Sequence, residues 1–210
     1  MELSLLDLFQ PEALIKFGGL TLLLLIVFAE TGLFFGFFLP GDSLLFVAGL
    51  LSNSPHINLP VWLLIALVVI AAVSGTAVGY GFGYWAKDYL YRRKENFFYK
   101  KKYLDITREV YQRHGMLTFV VGRFLPIVRT FIPILAGISK INFRKFMIYN
   151  FIGAAIWVIT MIMSGHLFGK AFPNLINYLE IIIGAMILVT AVPVVITWIN
   201  HRKRLATDEK

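Results

Sequence analysis

The sequence predicts an all-α polytopic membrane protein, and three observations lead to that fold class. Of the 210 residues, 58% are hydrophobic, whereas soluble domains contain roughly 45 to 50%. Only 15% are charged, and the mean hydropathy is +0.74. Several runs of about 20 residues contain no charge, which is the length that a spanning helix needs. These features exclude a cytosolic enzyme, a disordered protein and a nucleic-acid-binding module.

The net charge of +8 comes from basic residues that lie between the apolar runs. In that position they act as topology signals and contact lipid headgroups, so we expect no nucleic-acid partner. The chain contains no cysteine, which excludes disulfides, thiolate catalysis and cysteine-ligated metals.

Residues 1–19 are expected to form an amphipathic helix on the membrane surface. This segment lacks the basic start and the small-residue cleavage site of a signal peptide, so it is treated as part of the mature protein. The main membrane domain is predicted to cover residues 20–178. A C-terminal unit, residues 179–210, would contain a last span and a basic tail.

Three spanning helices are predicted, at residues 61–86, 146–169 and 181–199. Each run is uncharged, and even the shortest, of 19 residues, covers nearly 30 Å at about 1.5 Å per residue. The loop 87–114 contains nine Lys or Arg against four acids, so the positive-inside rule makes it cytoplasmic. The basic tail 201–204 places the C-terminus on the same side. Counting back from that tail makes residues 140–145 cytoplasmic as well.

Two other apolar stretches, residues 20–51 and 115–139, are poor candidates for ordinary spans because each contains two charges and proline. The second stretch has cytoplasm predicted at both ends, so we expect a re-entrant hairpin that enters the membrane and turns back. The same reasoning predicts a hairpin from the opposite face for the first stretch. A conventional span ending near Leu39 is the alternative there.

The two stretches also share a sequence pattern. FLPGDSLLFVAG at residues 38–49 and FLPIVRTFIPILAG at residues 124–137 both open with FLP and close with AG, and each is followed by a predicted span. Two hairpin-plus-helix units inserted from opposite faces form an inverted repeat. Transporters use this architecture to place a binding site near the bilayer midplane.

Four ionisable residues lie within these hairpins: Glu30, Asp42, Arg123 and Arg129. Each would cost about 2.5 to 3.5 kcal/mol at the bilayer centre if unpaired. Their charges sum to zero, so we expect the two hairpins to meet there. On one continuous helix the two arginines would point about 120° apart. Pro126, which lies between them, should therefore break the helix.

Two arginines beside helix N-termini suit a phosphate group, because a guanidinium offers a planar fork of donors. Arg123, Arg129 and Thr130 are the candidate phosphate-binding residues, and Thr130 could also cap a half-helix, as could Asp42 or Ser43. Broken helices at membrane depth should line a polar cavity. The residues expected to line it or to turn the hairpins are Pro40, Gly41, Ser43, Pro126, Pro133, Asn150 and Trp157.

Glu30 and Asp42 are the candidate proton-coupling residues. Their protonation would release the arginines to hold a phosphate headgroup, and their deprotonation would return the arginines and eject it. A purely structural salt bridge that never titrates is the alternative. The glycine-rich segment 75–83, GTAVGYGFG, lacks the features of a phosphate loop and indicates close helix packing.

Residues 30–49, 122–139 and 146–157, the last with the pattern FxxxNxxGAxxW, resemble the DedA family of bacterial membrane proteins. This family is also called the SNARE-associated or VTT-domain family, and the resemblance covers roughly residues 20–169. Its acidic pair matches Glu30 and Asp42, and its arginine pair matches Arg123 and Arg129. The resemblance implies two opposed re-entrant hairpins, a location in the bacterial inner membrane and lipid transport. Bacterial members are similar to undecaprenyl phosphate translocases driven by the proton motive force, and eukaryotic relatives to phospholipid scramblases.

The expected function is therefore proton-coupled transport of a lipid phosphate, foremost undecaprenyl phosphate, between leaflets. The expected partners are membrane lipids and protons, with no cofactor and no enzymatic activity; small-residue helix faces allow a homodimer without requiring one. An uncoupled scramblase, a membrane adaptor and a lipid-phosphate phosphatase are the alternatives. A phosphatase would need an acid or base such as His114 or His166 near the arginines. The four histidines are scattered, so no metal site is expected.

Overall fold

The computed structural model describes residues 11–33, 36, 39, 41–52, 59–92 and 117–172, and these residues form helices and turns with no strand among them. The predicted all-α class is confirmed for this part of the chain. The predicted span at 181–199, the tail and residues 1–10 lie outside it. The helices are α1 (Pro11–Gly32), α2 (Gly41–Leu51), α3 (Val61–Arg92), α4 (Leu117–Val121), a short 3-10 helix (Gly122–Phe124), α5 (Pro126–Ile138) and α6 (Phe143–Ala171).

Among the described residues, two helices are long and apolar enough to cross a membrane, Val61–Ala86 within α3 and Phe143–Ala171. They coincide with two of the three predicted spans. α3 continues to Arg92, so the predicted boundary at residue 86 marks the end of the uncharged run and not the end of the helix. Residues 87–92 contain no glycine or proline, and a helix needs no lipid to continue into water.

Large apolar side chains cover the outward faces of α3 and α6. Trp62, Ile70 and Phe82 on α3 are exposed, as are Ile148 and Phe151 on α6. A water-soluble protein rarely exposes so much contiguous apolar surface. These faces therefore suit contact with lipid chains.

α1 is bent at Gly19, whose backbone has φ 55° and ψ −148°. This conformation is readily available only to glycine. After the bend, the remaining part of the helix runs over Gly19–Gly32. A tight turn comes next, in which Gly36 N donates to Leu33 O and Leu39 N donates to Gly36 O. Gly36 lies directly against the backbone of Ala29 and Glu30, so the chain folds back onto α1.

α2 is an interior helix, because nine of its 11 residues are buried. At 1.5 Å per residue it is about 16 Å long, roughly half the hydrocarbon thickness. α5, with 13 residues, is about 20 Å long and is preceded by a break at Leu125, which has extended backbone with φ −105° and ψ 111°. Pro126 occupies the first turn of α5, where a missing N–H costs nothing.

Defined caps join α5 to α6. Lys140 has a positive φ of 57°, its N–H donates to Gly137 O, and Ile141 N donates to Ala136 O. This is the Schellman pattern at a helix C-terminus. Asn142 then caps α6 by accepting a hydrogen bond from Lys145 N at 3.1 Å.

The helices form two similar units, α1–α3 and α4–α6. The second helix of each unit packs mainly against the third helix of the other unit. α2 packs mainly against α6, and α5 packs mainly against α3. The two interfaces, α2–α6 and α3–α5, have a common design based on glycine.

In the α2–α6 interface, Gly49 lies against the carbonyl of Ile162, and Gly165 lies against the carbonyl of Phe46. Each glycine thus contacts the residue that lies three positions before the glycine of the opposite helix, because Ile162 lies three positions before Gly165 and Phe46 three positions before Gly49. A methyl group at either position would collide with the opposite backbone. Such close approach is typical of helices that pack in lipid.

In the α3–α5 interface, Gly83 lies against the carbonyl of Ile134, and Gly137 lies against the carbonyl of Tyr80. The spacing of three residues is the same as in the other interface. Gly75, at the start of the glycine-rich segment, packs against Phe28 of α1. The interpretation of residues 75–83 as a helix-packing segment agrees with these contacts.

Candidate functional site

Arg129 is held by two carboxylates from the other unit. Its Nη2 donates to Glu30 Oε1 in a buried ion pair, and its Nη1 donates to Asp42 Oδ1 at 2.9 Å. The Arg129 and Glu30 side chains are each 2% exposed, and that of Asp42 is 18% exposed. A forked guanidinium can bridge two acids in this way because its donors lie in one plane.

Trp157 of α6 fixes the geometry of this ion cluster. Its indole Nε1 donates to Asp42 Oδ1 at 2.8 Å, and its ring lies under the Arg129 guanidinium, with Cζ 4.4 Å from the ring centroid. A buried indole needs a partner for its N–H, and its face attracts a cation. One side chain thus orients both the Asp42 carboxylate and the Arg129 guanidinium.

Gly41, the first residue of α2, allows Glu30 to reach the cluster. A Cβ at this position would overlap the Glu30 carboxylate. The N-terminal end of α2, which is the positive end of the helix dipole, therefore faces a buried acid. The glycine is required by close approach and not by an unusual φ.

Arg123 lies in the same region but contacts neutral groups. Its Nη2 donates to Thr76 Oγ1 at 2.6 Å and to Ala72 O at 3.5 Å, and Thr76 Oγ1 donates in turn to Ala72 O. It forms no ion pair with a described acid. The expectation that both arginines pair with the carboxylates is therefore correct for Arg129 and wrong for Arg123. The difference arises because Arg123 precedes the break at Leu125 and faces α3, whereas Arg129 follows it.

A small cavity adjoins both arginines, with room for about one water molecule. Its lining residues come from α3 to α6 and are Thr76, Phe119, Arg123, Arg129, Ile132, Pro133, Phe146 and Asn150. Phe119 and Phe146 meet edge to face at 5.2 Å, and Tyr80 stacks on Phe146 at 5.3 Å. Tyr80 is itself anchored by donating to Ile141 O at 2.6 Å. Tyr80 thus holds Phe119 and Phe146, the two aromatic residues that line the cavity, from outside it.

The structure brings most of the sequence-predicted site residues to this region. Pro133 and Asn150 line the cavity, Trp157 contacts the ion cluster, and Ser43 and Thr130 are buried. The expectation that Thr130 caps α5 is wrong, because Leu125 is the N-cap residue and no side chain caps that helix. Thr130 is the fifth residue of α5, too far along it to reach the first N–H groups. Pro40 lies outside the described residues.

Four lining residues were not among the predicted site residues: Thr76, Phe119, Ile132 and Phe146. Thr76 belongs to the glycine-rich segment, where a hydroxyl in an apolar span is itself a signal for an interhelical hydrogen bond. Phe119 and Ile132 carry no distinguishing signal in so apolar a chain, whereas Phe146 is the first residue of the FxxxNxxGAxxW pattern at residues 146–157 and could have been found from it.

Comparison with known proteins gives consistent matches. The VTT domain family matches residues 39–167. Protein DedA of Escherichia coli K12 is 38% identical over 207 residues, which cover 98% of this chain and 94% of that protein. An uncharacterised membrane protein of Mycobacterium leprae is 32% identical, covering 94% and 87% of the two chains. The E. coli inner membrane protein YqjA is 31% identical, covering 81% and 76%. No solved structure matches.

Proposed function

This chain belongs to the VTT-domain, or DedA, family of membrane proteins, and from that premise we propose that it moves a lipid phosphate between membrane leaflets with proton coupling. The proposed substrate is undecaprenyl phosphate. The observation that carries the proposal is the unequal pairing of the arginines, since Arg129 is neutralised by two acids while Arg123 contacts only neutral groups.

Charge balance supports the coupling to protons. The cluster of Glu30, Asp42, Arg123 and Arg129 has a formal charge of zero when all four are ionised. A phosphate anion entering this buried site would leave a net negative charge in a low-dielectric environment, which is costly. Protonation of one carboxylate restores neutrality and frees a donor of Arg129. Uptake of the anion and uptake of a proton are therefore linked.

The lengths of the helices support re-entrant insertion. α2 and α5 are each too short to cross the membrane, and each begins near the buried ion cluster. Two hairpins entering from opposite faces would bring that cluster to the bilayer midplane. The headgroup would cross through the polar site while its isoprenoid chain stays in lipid along the apolar faces of α3 and α6.

The proposed location is a bacterial inner membrane with the C-terminus in the cytoplasm. A relative named as an inner membrane protein supports the location, and the basic residues 201–204 support the orientation. The proposed partners are lipids and protons.

A phosphatase is not favoured by the described contacts. His166 Nδ1 is 2.7 Å from Ser52 Oγ, and that hydroxyl already donates to Gly49 O at 2.6 Å. The serine therefore accepts from the histidine and is not activated as a nucleophile. His166 also lies nine residues beyond Trp157 on α6, about 13.5 Å along the helix axis from the side chain that contacts the ion cluster.

The test is leaflet-resolved flux of undecaprenyl phosphate in proteoliposomes containing the full chain, with and without a pH gradient. We expect wild-type flux to respond to the gradient, Arg129→Ala to lose flux, and Glu30→Gln to lose the response to the gradient. Arg144→Ala is the matched control, because Arg144 is exposed at the start of α6 and should transport normally. Flux that ignores pH would favour the uncoupled scramblase, and unchanged flux in Arg129→Ala would favour the adaptor.

A further inference from the structure

Three buried hydrogen-bond donors around the small cavity have no partner within the described part of the chain. They are Arg123 Nη1, Arg129 Nε and Asn150 Nδ2. The three residues are 4%, 3% and 2% exposed, and all of them line this one cavity. Buried donors are normally satisfied, so three unsatisfied donors on residues that line one cavity need an explanation.

A group from outside the protein that carries several acceptor oxygens would provide partners for such donors. The rest of the lining is aromatic or aliphatic apart from Thr76, whose hydroxyl accepts from Arg123 and donates to Ala72 O. Apart from Thr76 Oγ1 and Asn150 Oδ1, the side chains of the described lining offer donors and no acceptor. Such a set of donors selects an anion with exposed oxygens.

We propose that Asn150 is the third ligand of the transported anion and holds a phosphoryl oxygen together with Arg123 and Arg129. This inference rests on the proposed function and adds a binding residue to it. The amide of Asn150 supplies donors without adding charge, so it strengthens anion binding and leaves the proton balance of the cluster unchanged.

The donor pattern on Arg129 gives the order of events. Its Nη1 and Nη2 each donate to a carboxylate, and Nε is the one guanidinium nitrogen without a partner among the described residues. An anion can therefore engage Arg123, Asn150 and this one nitrogen before any carboxylate leaves. In that encounter the carboxylates still hold Nη1 and Nη2, and protonation of one carboxylate then restores neutrality and frees the nitrogen that it held. Since a whole phosphoryl group is larger than the cavity, the surrounding helices must separate to admit it.

Asn150 is well placed for this role by helix geometry. It lies seven residues before Trp157 on α6, two turns away and on nearly the same face of the helix. Trp157 orients Asp42 and Arg129, and Asn150 reaches the cavity beside them. One face of α6 thus carries both the support of the ion cluster and the added ligand.

The shared chemistry is a phosphate with free oxygens, whether on a lipid or in solution. The test is calorimetric binding to the purified full chain in detergent, with farnesyl phosphate, inorganic phosphate and farnesol as probes. Farnesol controls for the apolar tail. If farnesyl phosphate binds and inorganic phosphate does not, the site is assigned to a lipid headgroup. If both bind, the site is assigned to a phosphate group whether it is lipid-linked or in solution.

We expect Asn150→Ala to weaken farnesyl phosphate binding about tenfold, as loss of a hydrogen bond to a charged group does. Asn150→Ser, which retains a donor, should fall between wild type and Asn150→Ala, and Asn150→Asp should abolish binding. The matched controls are Asn142→Ala and Asn142→Asp on the same helix, because Asn142 is exposed and aspartate caps a helix as well as asparagine. Elution volume and thermal unfolding of every variant separate loss of binding from loss of fold.

The outcomes separate the two proposals. Absence of farnesyl phosphate binding to wild type, or binding unaffected by Arg123→Ala, would overturn the proposed function. Binding that requires Arg123 but is equal in Asn150→Ala and Asn142→Ala would overturn only the role of Asn150.

Discussion

At the scale of single residues, Gly41 determines whether the ion cluster can form. A methyl group at Gly41 would occupy the space of the Glu30 carboxylate, whereas a methyl group at Gly81 would meet no atom within 4 Å. Gly41→Ala should therefore lower the free energy of unfolding by about 1–3 kcal/mol, as overpacking does, and abolish flux. Thermal unfolding and proteoliposome flux measure the two effects. Gly81→Ala is the control, and similar behaviour of the two variants would contradict this role of Gly41.

The four charged residues could be predicted from the sequence because burial of a charge in an apolar segment is expensive wherever it occurs. Their unequal pairing could not be predicted. Arg123 and Arg129 are the same residue type at similar depth, and only the helix break at Leu125 turns one toward Thr76 and the other toward Asp42. Such a difference depends on backbone geometry that no local pattern encodes.

At the scale of helices, the C-terminus of α5 contains a strained residue. Lys140 occupies the left-handed region with φ 57°, a conformation that costs a residue with a side chain about 1 kcal/mol relative to glycine. Lys140→Gly should therefore raise the free energy of unfolding by about that amount. Chemical denaturation in detergent measures it. Lys145→Gly, in the first turn of α6, should be destabilising instead, and a lower stability of Lys140→Gly would contradict the assignment.

The two glycine interfaces should respond alike to mutation because they have the same geometry. Gly49→Ala and Gly137→Ala each place a methyl group against an opposing backbone, at Ile162 and at Tyr80. Both should lower the free energy of unfolding by a similar amount, about 1–3 kcal/mol, in thermal or chemical unfolding. A large effect in one interface and none in the other would contradict their equivalence.

Helix positions were predicted well where the sequence contains an uncharged run, as in α3 and α6. The break before Pro126 follows from the chemistry of proline. The exchange of α2 and α5 between the two units was not predicted, because pairing of helices distant in sequence leaves no periodic signal. The matching AG dipeptides at residues 48–49 and 136–137 were the one visible trace of it.

At the scale of the whole molecule, opposite insertion of the two hairpins stays a prediction, and it can be tested with single cysteines because the chain has none. Leu117→Cys and Arg144→Cys should react with an impermeant thiol reagent from the cytoplasmic side, and Ser52→Cys and Lys170→Cys from the other side. Mass-tagging in oriented vesicles measures this. The parent protein should not react, and labelling of Leu117→Cys and Arg144→Cys from opposite sides would show an ordinary span between them.

The ion pairs between units have a consequence for biosynthesis. Glu30 and Asp42 leave the ribosome long before Arg129, their shared counter-charge, has been translated. α2 likewise has to wait for α6, which covers it in the finished fold. The nascent first unit therefore enters the membrane with uncompensated acids and an uncovered interior helix. It should remain beside the insertion machinery until the second unit arrives, and a chain truncated before residue 129 should be removed by quality-control proteases.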